Sequence, residues 1–205
     1  MIAIVDYEMG NIGSVYNMLK KAGQKSIITN DKAAISDASK IIIPGVGAFD
    51  SGMHQLERLD LVDVLRKKVK DDKVPVLGIC LGAQLMLGMS EEGQKQGLDF
   101  VAGKVVKFNL EGYSDTLRIP NMGWNQVEQA KPSRLITGLP DEPRFYFVHS
   151  YHFQLYAVED ELLTTNYGYQ FCSAFEHENI AGVQFHPEKS HKFGMQLLRN
   201  FSEQF

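Results

Sequence analysis

Val74-Pro75-Val76-Leu77-Gly78-Ile79-Cys80-Leu81-Gly82-Ala83-Gln84 is the stretch that decides the fold. It reads as an apolar strand, a Gly-x-Cys-x-Gly turn, and a helix with Leu81, Leu85 and Met86 on its apolar side. A strand-to-helix turn this tight leaves no room for side chains two positions either side of its apex, and Gly78 and Gly82 meet that demand. Cys80 then stands at the top of a strand and the start of a helix. There the free N–H groups and the helix dipole favour thiolate, the reactive form. Cys172, in the strand-like Gln170-Phe171-Cys172-Ser173-Ala174, has no such frame and reads as structural.

Upstream of the elbow, short β-branched runs alternate with helical patterns. Ile2–Val5 is a continuous apolar strand, followed by a loop with Gly10 and Gly13. Ser14 is a candidate N-cap for a helix carrying Val15, Met18, Leu19 and Ala22 and stopping at Gly23. Strands follow at 27–29, 41–43 and 74–77, the last after a helix with Leu61, Leu65 and Val69 on one face. Apolar strands separated by helices predict an α/β protein with a central, mostly parallel sheet flanked by helices. From about Gly103 the pattern changes to short strands at 104–108, 144–148, 153–156, 162–165, 171–175 and 181–185. That second half is expected to be mixed or antiparallel, and it closes with an amphipathic helix bearing Phe193, Leu197, Leu198 and Phe201. No linker or repeat interrupts residues 1–205, which read as one domain.

Bulk properties exclude several function classes. With 25 acidic and 21 basic residues the chain carries a net charge of −4, which argues against nucleic-acid and anionic-membrane binding. Two cysteines make no disulfide scaffold, and no Cys/His spacing suits a metal, so neither metal nor cofactor is expected. No apolar run approaches the roughly 18 residues of a membrane span. The N-terminus lacks the charged and apolar regions of a signal peptide, so the expected location is the cytoplasm.

A cysteine nucleophile is normally served by a histidine. Of the six histidines, His186 stands out in Gly182-Val183-Gln184-Phe185-His186-Pro187-Glu188. Pro187 biases His186 toward extended backbone, and in extended chain residues i and i+2 point the same way, which sets Glu188 beside the imidazole. A carboxylate there holds one ring nitrogen as a donor and stabilises the imidazolium. Attack on a carbonyl also creates an oxyanion that needs backbone N–H groups. The amide of Leu81 is one candidate; Gly45-Val46-Gly47, at the end of the strand at 41–43, supplies another. Gly45-x-Gly47 is a poor nucleotide loop, because Asp50 stands where a third glycine would be.

Pro-Gly-x-Gly at 44–47, Leu-Gly-Ile-Cys-Leu-Gly-x-Gln at 77–84 and Gly-Val-Gln-Phe-His-Pro-Glu at 182–188 together resemble the class I, triad-type glutamine amidotransferases. The resemblance implies that Gln84 helps bind glutamine and that Cys80 attacks its side-chain amide. His186 then protonates the departing ammonia and activates water to release glutamate from a Cys80 thioester. Within the class, Asp6-Tyr7-x-x-Gly10-Asn11, Met122-Gly123-Trp124-Asn125, Phe147-Val148-His149-Ser150-Tyr151 and His186-Pro187-Glu188-Lys189-Ser190 are similar to the glutaminase subunits of imidazole glycerol phosphate synthase. That similarity implies a heterodimer with a (β/α)8-barrel cyclase, which uses the ammonia to make imidazole glycerol phosphate and an aminoimidazole carboxamide ribotide for histidine. It also implies an interface drawn from Asn11, Trp124, Tyr146 and Lys189. The chain has no residues left over for a synthase, so ammonia must pass to another chain by a protected route.

Glu8 and Asn121 depart from the Gly and His usual in that family. Asn166-Tyr167-Gly168-Tyr169 and Ser190-His191-Lys192-Phe193-Gly194 look closer to paralogues that feed a sugar amidotransferase in surface-polysaccharide synthesis. A different cysteine hydrolase and an inactive docking protein are the remaining alternatives.

Overall fold

The computed structural model describes residues 1–113 and 116–205. The first half runs β1 (Ile2–Val5), α1 (Ile12–Lys21), β2 (Ser26–Thr29), α2 (Lys32–Ser36), β3 (Lys40–Gly45), α3 (Phe49–Arg58), α4 (Val62–Arg66), β4 (Val76–Cys80) and α5 (Leu81–Gln84). After β5 (Met89–Ser90), strands dominate: β6 (Gly103–Lys107), β7 (Asn121–Gln126), β8 (Glu128–Gln129), β9 (Arg144–His149), β10 (Tyr151–Leu155), β11 (Glu161–Tyr167), β12 (Tyr169–His177) and β13 (Ile180–Val183). Helix α6 (His191–Glu203) ends the chain's regular structure.

The main sheet has the order β2-β1-β3-β4-β13-β12-β10-β6-β5, with β11 pairing β12 and β8 at a fork. From β2 through β13 the pairings are parallel; β12, β10 and β6 then run antiparallel in turn. This is the expected α/β architecture, parallel in its first half and mixed in its second. The central parallel strands β1, β3, β4 and β13 are buried on both faces, while β2 at the edge is only partly covered, and alternate residues go to opposite cores. Ala3, Val5, Ile41 and Ile43 join the core with Phe49, Leu56, Leu65 and Phe153. Ile2, Ile4 and Ile42 join the other, with Val15, Leu19, Leu197, Leu198 and Phe201.

Several local expectations shift. Helix α1 begins at Ile12, two residues before the proposed Ser14 cap, with Asn11 ahead of it making no side-chain cap bond. The helical face Leu61, Leu65, Val69 is buried as expected, but Asp60 in left-handed backbone (φ 55°) separates α3 from α4, and a π-helical turn at Lys67–Asp71 follows. The segment around Trp124, outside all of the expected strands, is extended. It forms β7, paired antiparallel with β9 so that Trp124 lies opposite Tyr146.

The elbow itself is real but its helix is one turn long. Leu85 and Met86 cannot extend α5, because their carbonyls already accept from Leu98 (2.7 Å) and from Phe100 (2.7 Å) and Val101 (3.2 Å). Cys80 sits at the apex with φ 52°, ψ −110°, a conformation that costs a non-glycine residue free energy and persists only where neighbours enforce it. The glycines beside it are where steric demand is greatest: a Cβ on Gly82 would collide with the Ile43 carbonyl oxygen, and one on Gly78 with the Ala83 backbone. Because both obstacles are backbone, neither can swing aside. Gly82→Ala is therefore expected to destabilise the fold by about 1–3 kcal/mol, read as a lower urea midpoint at unchanged m-value.

Candidate active site

Parallel pairing carries the two halves of the site to the same sheet edge. Strands β4 and β13 are neighbours in register, Ile79 beside Val183, so Cys80 and the 184–188 segment emerge together at their carboxyl ends. The His186 N–H donates to the Tyr146 carbonyl (2.8 Å), and the buried Ser190 hydroxyl donates to the His186 carbonyl (2.6 Å) while accepting from the Tyr146 N–H (2.9 Å). These bonds fix the imidazole's backbone from both sides. Glu188 reaches the ring through a 3-10 turn at Pro187–Lys189, not through the extended chain expected from the sequence. His186 keeps extended backbone (φ −103°, ψ 94°), and Pro187 opens the turn.

Within the pair, His186 Nδ1 and Glu188 Oε1 are 2.7 Å apart, with the two side chains 1% and 4% exposed. Burial by itself pushes the imidazole toward neutrality. The Cys80 sulfur and the Glu188 carboxylate outweigh it and raise the proton affinity well above the ordinary histidine value. Nε2 has no hydrogen-bond partner of good geometry among the described residues, and the Cys80 sulfur beside it still favours the ring's proton. A single helical turn offers Cys80 little dipole.

A cavity of about 220 Å³ opens on the thiol. It is lined by Val46, Gly47, Cys80, Leu81, Gln84, Glu92, Pro120, Val148, His149, Ser150 and Tyr151. A larger cleft of about 450 Å³ lies near Pro75, Arg134 and Phe205, at the opposite end of β4, and gathers neither cysteine nor histidine. Of the expected oxyanion donors, Leu81, Val46 and Gly47 reach the cavity wall. Gly45 does not: it is the β3 residue in register with Cys80, and its Cα packs against the Tyr7 hydroxyl so closely that a Cβ would collide with it. Tyr7 is fully buried with that hydroxyl unbonded among the described residues. Gly47 has φ 133°, open to glycine alone, and Val46 between the two glycines is 48% exposed.

Gln84 lines the cavity as expected. Its Nε2 donates to the Tyr151 carbonyl (3.3 Å) and to Gln184 Oε1 (3.1 Å). Three residues that sequence reasoning passed over also belong here. Glu92 places one carboxylate oxygen on the Phe49 N–H (2.9 Å) at the start of α3 and contributes to the wall. Gln184, fully buried, brings Nε2 to 3.7 Å from Cys80 Sγ. His149 bonds the Tyr151 carbonyl through Nδ1 (2.7 Å) and Asn121 through Nε2 (3.1 Å). The signal for Gln184 was present as a lone amide in the apolar run Val183-Gln184-Phe185.

Of the four expected interface residues, three are contiguous. The Trp124 and Tyr146 rings meet edge-on at 6.3 Å, and Lys189 Nζ sits 5.5 Å over the Tyr146 ring. His191 stacks on Trp124 at 5.5 Å, an addition the sequence did not suggest. Asn11 is exposed before α1, which packs on the Pro187–Lys189 turn.

A thiol on a strained elbow, an imidazole–carboxylate pair beside it and glycine-flanked amides across a small cavity are the groups that acyl transfer through a cysteine requires. The chain belongs to the class I glutamine amidotransferases: the family profile described as glutamine amidotransferase class-I matches residues 3–205. Its sequence is 53% identical to imidazole glycerol phosphate synthase subunit HisH 2 of Methanococcus maripaludis, over all of both chains. It is 46% identical to the subunit of the same name from Pseudomonas aeruginosa, over 99% of each. Solved structures show the same fold at lower identity. A glutamine amidotransferase crystal structure matches with TM-score 0.75 at 18% identity, covering 98% of this chain and 97% of that one. A chain of PurLQS from Thermotoga maritima matches with TM-score 0.70 at 16% identity, covering 98% and 96%.

Burial holds His149 neutral, with its pKa lowered to about 3; the nearby His152 and His186 act in the same direction, against the Tyr151 carbonyl bond. The unfolded chain titrates this ring near the ordinary value of about 6.5. Between the two values the unfolded state binds more protons, so stability is complete above the upper value and is lost as pH falls toward the lower. On acidification from pH 7 to pH 5, wild type is expected to lose about 2 kcal/mol more than His149→Gln, measured by urea unfolding at each pH.

Proposed function

We propose that this chain is the glutaminase subunit of an imidazole glycerol phosphate synthase in histidine biosynthesis. On this reading it hydrolyses L-glutamine to glutamate and ammonia and passes the ammonia to a (β/α)8-barrel cyclase subunit in the cytoplasm. The observation that carries the chemistry is the 2.7 Å His186–Glu188 pair set beside Cys80 at the cavity. The partner and pathway are supported by full-length relatives of 40–53% identity that bear the synthase-subunit name. Those names favour histidine synthesis over sugar amidation.

Cys80 Sγ attacks the carboxamide carbon, and the oxyanion is met by the Leu81 N–H and by an N–H of the Gly45-Val46-Gly47 loop. His186, held by Glu188, gives its proton to the leaving ammonia and later takes one from the water that cleaves the thioester. Glu92 provides a carboxylate for the α-ammonium of glutamine, and the Gln84 amide contacts the same substrate. The exposed Val46 between two glycines suits a loop whose peptide turns to its donating orientation only when the partner docks. Glutamine hydrolysis is then weak alone and rises with the cyclase and its ligand. Trp124, Tyr146, Lys189 and Asn11 form the docking face in this reading.

Cys80→Ala is expected to lower glutaminase kcat by roughly 1,000-fold or more, and Glu188→Gln by less, because the imidazole remains. Ammonia release by the complex measures both. Wild-type turnover in Cys80→Ala would sink the nucleophile assignment. The pathway is read genetically: the gene should restore growth without histidine to a strain lacking its own glutaminase subunit. Failure there, with ammonia delivered instead to a sugar-amidating partner, would overturn it.

A further inference from the structure

The hydrogen bonds around Cys80 have a direction, and one backbone oxygen sets it. A carbonyl oxygen only accepts. Because Tyr151 O lies 3.3 Å from the Gln84 side chain, that end of Gln84 is its nitrogen, and its other N–H goes to Gln184 Oε1 at 3.1 Å. Gln184 therefore has its oxygen committed to Gln84, and the end left 3.7 Å from Cys80 Sγ is its NH₂. The same Tyr151 oxygen takes the Nδ1–H of His149 (2.7 Å). Nε2 of that neutral ring must accept from the Asn121 amide nitrogen (3.1 Å), which turns Asn121 Oδ1 to the Asn125 NH₂ (2.9 Å). Both arms run toward their ends with no ambiguity of amide orientation.

Gln184 is fully buried between Val183 and Phe185, a position where an apolar side chain would pack without desolvating an amide. Its two polar ends are both spent on the site. Gln84, for its part, has both N–H groups committed, and its Oε1 makes no hydrogen bond among the described residues although Gln84 lines the cavity. We infer that Gln184 is a positioning residue with two separable tasks: its NH₂ holds the Cys80 sulfur as a donor, and its oxygen fixes Gln84 so that the Gln84 carbonyl faces a donor group of the substrate. This rests on Cys80 being the glutaminase nucleophile. An N–H directed at sulfur favours the anion over the thiol and aims it, since only the anion is a strong acceptor.

Two substitutions separate the tasks. Gln184→Glu keeps an oxygen for Gln84 and loses the donor to sulfur; Gln184→Met loses both. With the complex as it co-purifies with its synthase, Gln184→Glu is expected to keep KM for glutamine and lower kcat by about 10- to 100-fold. Gln184→Met is expected to lower kcat similarly and raise KM as well. In Gln84→Met/Gln184→Met the KM should match that of Gln84→Met alone, because the KM effect passes through Gln84; this variant also removes both members of the amide pair and serves if Gln184→Met does not fold. The rate of Cys80 alkylation by iodoacetamide, followed by peptide mass, should fall in both Gln184 variants without glutamine present. Equal changes of KM and kcat in both single variants, or wild-type kcat and alkylation in Gln184→Glu, would overturn the inference while leaving the nucleophile in place. Loss of the parent reading looks different: turnover would then survive alkylation of Cys80.

Discussion

A cysteine in left-handed backbone at the end of a fully buried strand is the constraint from which the rest of the site follows. At φ 52°, ψ −110° Cys80 turns the chain so sharply that α5 lies against the β4 backbone at Gly78 and against the β3 backbone at Gly82, and side chains are shut out at both positions. Such strain is held in place by the surroundings rather than by the residue. Here the surroundings are the parallel neighbours β3 and β13, in register on either side, and the commitment of the Leu85 and Met86 carbonyls to the chain at 98–101. The same pairings that enforce the strain deliver the Gly45-Val46-Gly47 loop from one side and the His186 imidazole from the other.

Electrostatics then distribute along that frame. The buried histidines of the site are driven in opposite directions by what touches them. Burial dominates at His149, whose contacts are a carbonyl and an amide, and leaves it a neutral structural link. At His186 a carboxylate and a sulfur outweigh burial and favour the proton. Two imidazoles within one small region thus hold different protonation states at neutral pH, and only one of them is suited to giving and taking protons.

The sequence made the elbow, its thiol and the His186–Glu188 pair legible because each depends on short-range geometry: glycines at fixed offsets, a proline that restricts its neighbour, strand and helix periods on either side. It was less informative where distant segments decide. Asn121-Met122-Gly123-Trp124-Asn125 alternates with its apolar side chains, Met122 and Trp124, exposed and Asn121 buried, the reverse of a core-facing strand, and it becomes β7 where β9 offers an antiparallel partner. Helix α5 stops after one turn although Leu85 and Met86 continue its apolar pattern, since residues 98–101 take their carbonyls. Glu92 reaches the cavity through its cap on α3, and Gln184 through contacts with Gln84 and Cys80, 100 and 104 positions away in sequence. Apart from the lone amide at Gln184, none of these contacts leaves a local pattern.

The Tyr151 carbonyl carries one more consequence, for how the site tolerates variation. Both arms of the amide network take their direction from a peptide oxygen, which every amino acid possesses, and not from the tyrosine ring. Exchange of the side chain at 151 can alter the shape of the cavity while the order of donors and acceptors stays the same. The protein can thus vary the wall of the cavity without rewiring the amides around Cys80.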